Sequence, residues 1–257
     1  MSTYRLTLEY DGGRFNGWQR QPGARTVEGV LREAIGTLSD EDPALTAAGR
    51  TDSGAHAHGQ VAGVTMARAW QPERLRAALN ALLPEDVVVT DVASAPQGFH
   101  ARRDALRRTY RYLVLPRDTR AAVARNHAWQ VRGPLDVAAM RDAAQGLVGT
   151  HDFAAFGRSP RPGGSTVRTV HEVAVGHAAL RAQGETRIDA VVITVTADAF
   201  LRGMMRAFAG ALVAVGSGRM TSHDIAALVS GSDTAPRLSV APARGLHQWS
   251  VQYAVAA

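Results

Sequence analysis

The densest polar run in the chain is Gly49-Arg50-Thr51-Asp52-Ser53-Gly54-Ala55-His56-Ala57-His58-Gly59-Gln60. A carboxylate bracketed by glycines can be exposed on a tight turn, and a guanidinium as near as Arg50 favours its ionised form if the two approach in space. Such an Asp52 is equipped for carboxylate or base chemistry. The ordinary role of an aspartate between glycines is to cap a turn, and the residues alone leave both readings open. His56 and His58 stand at strand spacing, i and i+2, so a metal site there needs one or two more ligands, and the sequence offers no evident partner cluster.

Other chemistries drop out one by one. There is no cysteine, which removes disulfides, thiolate zinc sites, iron–sulfur clusters and a thiol nucleophile together. The glycines of Asp11-Gly12-Gly13-Arg14-Phe15-Asn16-Gly17 follow an apparent strand but match neither the dinucleotide fingerprint nor a phosphate loop with its terminal lysine. They are expected to shape a turn that displays Phe15, Trp18 and Gln19. No Gly-x-Ser-x-Gly elbow is present. What survives is an exposed aspartate, several arginines and strand-borne tyrosines, a set that suits a pocket holding a flat, neutral base beside a phosphate backbone.

The elements that must position these groups follow from periodicity. Tyr4, Leu6, Leu8 and Tyr10 alternate with polar residues as in a strand with one buried face. From Thr26, an N-cap residue type, Val27, Val30, Leu31, Ala34, Ile35 and Leu38 fall at helical spacing. Strands are predicted over 61–65 and 87–92, and between them a helix starts at Pro72 with Leu75, Leu79 and Leu82 on its apolar face. Around Arg107 to Leu115, Tyr110, Tyr112 and Val114 share one side of a strand, with Arg107, Thr109, Arg111 and Leu113 on the other. The second half has a helix over 135–148, strands near 167–175 and 187–197, a helix through Met204, Phe208, Leu212 and Val215, and a short helix capped by Thr221 with Asp224. A last strand carries Trp249, Val251, Tyr253 and Val255. The prolines and glycines of 158–166 mark a loop.

Strands and helices therefore mix without strict β–α alternation, which reads as α+β with mostly antiparallel pairing. Two halves with similar element order are expected, residues 1–105 with Asp52 and residues 106–257. All 29 basic residues are arginine, against 23 acids, for a net charge of +6. The balance permits a polyanionic partner. The opening MSTYRLTLEY has no signal-peptide pattern, and no apolar run reaches the roughly 20 residues of a membrane helix, so a cytoplasmic protein without membrane association is expected.

Six ordered segments resemble one family along the whole chain. They are Tyr10-Asp11-Gly12 with Phe15, Gly17, Trp18, Gln19 and Gln21; GRTDSGAHA with Gln60 and Val61; and Phe99-His100-Ala101-Arg102 leading to Arg108-Thr109-Tyr110-Arg111-Tyr112. The others are His151-Asp152-Phe153 with Phe156; Ala199-Phe200-Leu201-Arg202-Gly203-Met204-Met205-Arg206 with Gly210; and Ala241-Pro242-Ala243 with Gly245-Leu246. The chain is similar to the TruA-type tRNA pseudouridine synthases. Asp198 departs from the pattern, standing where asparagine is common and adding a negative charge near Phe200 to Arg206.

The resemblance implies the pseudouridine synthase fold, two related halves sharing a mostly antiparallel mixed sheet with an active-site cleft between them. It implies isomerisation of uridines in the anticodon stem-loop of tRNA by a homodimer that needs neither cofactor nor metal. Asp52 is then the catalytic carboxylate, either adding covalently to the nucleoside or removing a sugar proton to give a glycal. Tyr110 stacks on the target base. Arg206 is the first choice as partner of Asp52, with Arg50 facing RNA.

Overall fold

The computed structural model describes residues 1–39, 42–181, 187–232 and 234–254. In chain order the elements are β1 (Ser2–Tyr10), α1 (Val27–Ser39), β2 (Leu45–Ala47), β3 (His56–Met66), α2 (Pro72–Leu82), β4 (Val87–Ala95), β5 (Ala105–Pro116) and β6 (Trp129–Val131). They continue with α3 (Val137–Gln145), β7 (Gly149–Asp152), β8 (Val167–Arg181), β9 (Arg187–Ala197), α4 (Met204–Gly216), α5 (Ser222–Ser230) and β10 (Leu246–Tyr253). The class is α+β. The chain divides into two compact units, Met1–Leu106 with the residues from Gln248 on, and Arg107–His247. Strand β10 thus begins in the second unit and returns the chain to the first, which a single boundary near residue 105 leaves out.

In the first unit the strand order is β4-β1-β3-β10, with β2 on β3. β1 is antiparallel to both neighbours, Leu6 lying opposite Ala62 of β3 and Val92 of β4. Its alternation puts Tyr4, Leu6, Leu8 and Tyr10 into one core with Leu31 and Ile35 of α1 and Leu75 and Leu79 of α2. Each fully buried aliphatic side chain there contributes about 1.5–3 kcal/mol. α1 starts where Thr26 predicts, its hydroxyl accepting from the Gly29 amide at 3.2 Å. Pro72 occupies the first turn of α2, where its missing N–H is no loss. Leu82 departs from the expected apolar face: it is the last residue of α2 and is 43% exposed.

The second unit orders its strands β5-β9-β8-β7, all antiparallel, with β6 running parallel to β5. On β5, Tyr110, Tyr112 and Val114 face inward as expected, and Arg108 shares their buried side. α4 is apolar almost all round and correspondingly buried, with Phe208 meeting Phe153 and Phe156 in edge-to-face contacts at 5.4 and 4.9 Å. Thr221 and Asp224 form the expected reciprocal cap of α5.

Three strands, β2, β6 and β7, have no counterpart in the sequence reading. Each is three or four residues long, too short to show a period. β3 is longer than the predicted 61–65: it begins at His56, so the end of the polar run is strand rather than loop. Residues 158–166 form the expected loop. Val255 lies outside the described residues.

Candidate active site

Asp52 sits on a turn immediately before β3. Its carbonyl accepts from the Ala55 amide at 3.1 Å, and Gly54, at φ 79, supplies the left-handed residue that closes the turn. The side chain is half-buried, while Arg50, two residues earlier, is exposed. The backbone of Asp52 thus makes the turn, and the half-buried side chain is carried on it.

The 11–19 segment cradles this turn. The Trp18 amide donates to the Thr51 carbonyl at 3.1 Å, and the Phe15 carbonyl accepts from the Gly54 amide at 3.3 Å and from the Ser53 hydroxyl at 3.2 Å. Two glycines allow the approach. A Cβ on Gly12 would lie 1.8 Å from the Ala55 carbonyl oxygen, and one on Gly17, whose φ is 86, would lie 2.7 Å from that of Thr51. Phe15 and Trp18 are consequently not displayed, as expected from sequence, but 2% exposed in the core. Their rings anchor the cradle and leave its backbone to the Asp52 turn. Arg25 covers the Phe15 ring at 4.0 Å and grips Asp86 through two bonds of 2.8 and 2.7 Å. That grip holds the Asp86 carboxyl below the usual carboxylate range against the opposing effect of partial burial.

The loop is also tied from beneath. Tyr10 and Thr51 share a hydroxyl–hydroxyl bond of 2.8 Å, and the Gln60 amide donates to the Gly49 carbonyl at 2.7 Å. Both residues flanking Arg50 are thus fixed to the core. His56 and His58 engage different carboxylates, His56 lying 3.1 Å from Asp11 and His58 3.8 Å from Glu9.

Tyr110 and Arg206 belong to the second unit. Tyr110 is 7% exposed, and its ring stands edge-on to Phe200 with centroids 4.7 Å apart. Arg108, two residues before it, donates to the Asp198 carbonyl at 2.6 Å, and the Asp198 carboxylate accepts from the Thr169 and Ala199 amides. The Asp198 side chain, by accepting both bonds, therefore organises the turn that carries Phe200. Arg206 lies half-buried in the first turn of α4, which follows Gly203 at φ 81, and its Nε donates to the Ala241 carbonyl at 2.7 Å. The neighbouring Tyr112 phenol donates to the Pro242 carbonyl at 2.6 Å. Burial raises its pKa far above the ordinary tyrosine value, with Arg206 and Arg244 acting weakly the other way.

Residues 7–104 and 143–254 match the sequence model of the family described as tRNA pseudouridine synthase. The chain belongs to that family. The tRNA pseudouridine synthase A of Methylobacterium radiotolerans is 40% identical over 254 residues, 98% of each chain. That of Rhizobium meliloti is 41% identical over 256 residues, 98% of this chain and all of the other. Arg50, Asp52 and Arg206 fall inside the segments that match the pseudouridine synthase model, and Tyr110 falls between them. No helix among the described residues is long and apolar enough to cross a membrane.

From sequence, Tyr10 belongs to a buried strand face, Gly12 and Gly17 to a turn and Gln60 to a resembling segment, with no contact to the Asp52 turn expected of any of them. All four hold the Asp52 turn, and for Tyr10, Gly12 and Gly17 the contacts join segments far apart in sequence, for which local spacing carries no signal.

Proposed function

We propose that this pseudouridine synthase family member isomerises uridines of the tRNA anticodon stem-loop to pseudouridine, with Asp52 as its catalytic carboxylate and no cofactor. The observation that carries the proposal is the Asp52 turn: a carboxylate presented by a backbone pinned on both sides, in a chain of this family. The reaction breaks the C1′–N1 bond of a uridine, turns the uracil and rejoins it through C5. A proton leaves C5 and one is gained at N1, so no electrons are transferred.

Asp52 acts through its carboxylate, either by adding to the nucleoside or by removing a sugar proton, with a guanidinium as its partner. Arg206 is proposed for the partner and Arg50 for the phosphate backbone. Tyr110 supplies a flat face for the extruded base and a hydroxyl near the departing C5 proton. Extrusion from a paired stem costs a few kcal/mol, which arginine contacts to phosphates offset. On the resemblance, the working form is a cytoplasmic homodimer.

The test is incubation with a tRNA transcript tritiated at uridine C5, reading tritium release and nucleoside composition. The expected result is pseudouridine at anticodon stem-loop positions, at a rate unchanged by a chelator. Absence of pseudouridine, or product that depends on added metal, would overturn the proposal. Tyr110→Phe keeps the ring and loses the hydroxyl, so it should retain RNA affinity and slow turnover about 100-fold. An unchanged rate would leave Tyr110 only a stacking role.

A further inference from the structure

Two primary amides lie fully buried in the first unit, Gln60 on β3 and Gln248 on the adjacent β10, both 0% exposed. Burying an amide is unfavourable unless its hydrogen bonds are remade, and two apolar side chains of similar length would fill the same space without that penalty. The pair is linked, Gln248 Nε2 donating to Gln60 Oε1 at 3.0 Å. Gln60 Nε2 donates onward to the Gly49 carbonyl at 2.7 Å and lies 3.5 Å from the Tyr10 hydroxyl.

The direction of this chain is fixed by its end. A main-chain carbonyl only accepts, so Gln60 must present its NH₂ to Gly49 and its oxygen to Gln248, and Gln248 must present its NH₂ in turn. Turning either amide over would set two acceptors or two donors against each other. Gln248 Oε1 is left buried without a hydrogen-bond partner among the described residues.

We infer that Gln60 and Gln248 form a directional amide relay that positions the Asp52 loop for catalysis. The inference rests on the proposed role of Asp52. Both glutamines are positioning residues. The relay holds Gly49 on one side of Arg50 while Tyr10 holds Thr51 on the other, and Thr51 is bonded directly to Asp52. With both neighbours fixed to the core, Arg50 turns outward and the Asp52 main chain enters its turn from one position. Small displacements of a reacting group lower turnover steeply while leaving substrate contacts elsewhere intact.

The experiment compares Gln60→Met, Gln248→Met and the double variant with the unaltered protein, measuring thermal midpoint, kcat and KM on a tRNA transcript well below every midpoint. Gln60→Met should lower both the midpoint and kcat, the latter about tenfold or more, with KM within about twofold. Gln248→Met leaves the Gln60 bonds to the Gly49 carbonyl and the Val61 amide in place and removes only the link to β10, so a smaller loss of about threefold in kcat is expected. The double variant removes both halves of the buried amide contact, so its midpoint should recover relative to Gln60→Met while kcat stays low. Stability and turnover then move apart, which a purely structural role would not produce. Wild-type kcat in any variant that folds by circular dichroism overturns the relay. Asp52→Asn is run alongside: if it is active, the Asp52 proposal fails, whereas if it is inactive and the double variant is at the wild-type rate, only the relay fails.

Discussion

Asp52→Asn is expected to remove pseudouridine formation, lowering the single-turnover rate on the order of 1,000-fold or more. Asparagine keeps the size of the side chain and one accepting oxygen, and it replaces the charged oxygen by a neutral NH₂ donor. Both chemical routes open to the enzyme depend on that charge, as the attacking oxygen or as the base. The backbone bond that closes the turn, from the Ala55 amide to the Asp52 carbonyl, is unchanged by the substitution. Folding and tRNA affinity should therefore persist, and affinity should still weaken with salt, since phosphate contacts lie elsewhere. A variant that makes pseudouridine at a tenth of the normal rate would show that Asp52 is not the reacting group.

Gly17→Ala should be nearly as damaging for a different reason. At φ 86 a Cβ strains the backbone by about 1–2 kcal/mol. That Cβ would also lie 2.7 Å from the Thr51 carbonyl oxygen and 3.2 Å from the Asp52 carbonyl carbon, both main-chain atoms with little freedom to retreat. Forcing them apart adds about 1–3 kcal/mol. The thermal midpoint should fall by roughly 5–15 °C, and turnover by about 100-fold in the fraction that folds, because the catalytic turn is the part displaced. Gly23→Ala is the control. Its φ is 69 but nothing lies within 4 Å of the added atom, so it carries the backbone strain alone and should leave turnover unchanged. If both variants behave alike, the close approach at Gly17 does not matter.

What could be read in advance divides along physical lines. β1, α1 and the α5 cap were legible because each rests on a local rule: a period of two, a period near 3.6, or a side chain capping amides three residues away. β2, β6 and β7 were not, since a strand of three or four residues exists through its partner and not through its own pattern. Asp52 was legible as an aspartate on a turn, its proposed reactivity coming from the resemblance alone, and Phe15 and Trp18 were read as displayed where they are buried. Between glycines an aromatic can be displayed or buried, and only the contacts of Gly12 and Gly17 with residues 51–55 decide which. Arg108 shows the same limit, because the resemblance included it without saying that its guanidinium would reach the Asp198 carbonyl.

The return of β10 to the first unit bears on the order in which the protein matures. A chain folds from its N-terminal end as it leaves the ribosome, and contacts distant in sequence form late. The Asp52 turn and its cradle are complete once residues 1–66 have emerged, but Gln248 is made only after the whole of Arg107–His247. Until then the first sheet has an open edge at β3 and Gln60 lacks its neighbour. Asp52, the proposed catalytic residue, is thus among the first groups to be synthesised, while the β10 strand beside Gln60 is among the last, so on the proposed reading a ribosome-bound nascent chain carries the carboxylate before its support is complete.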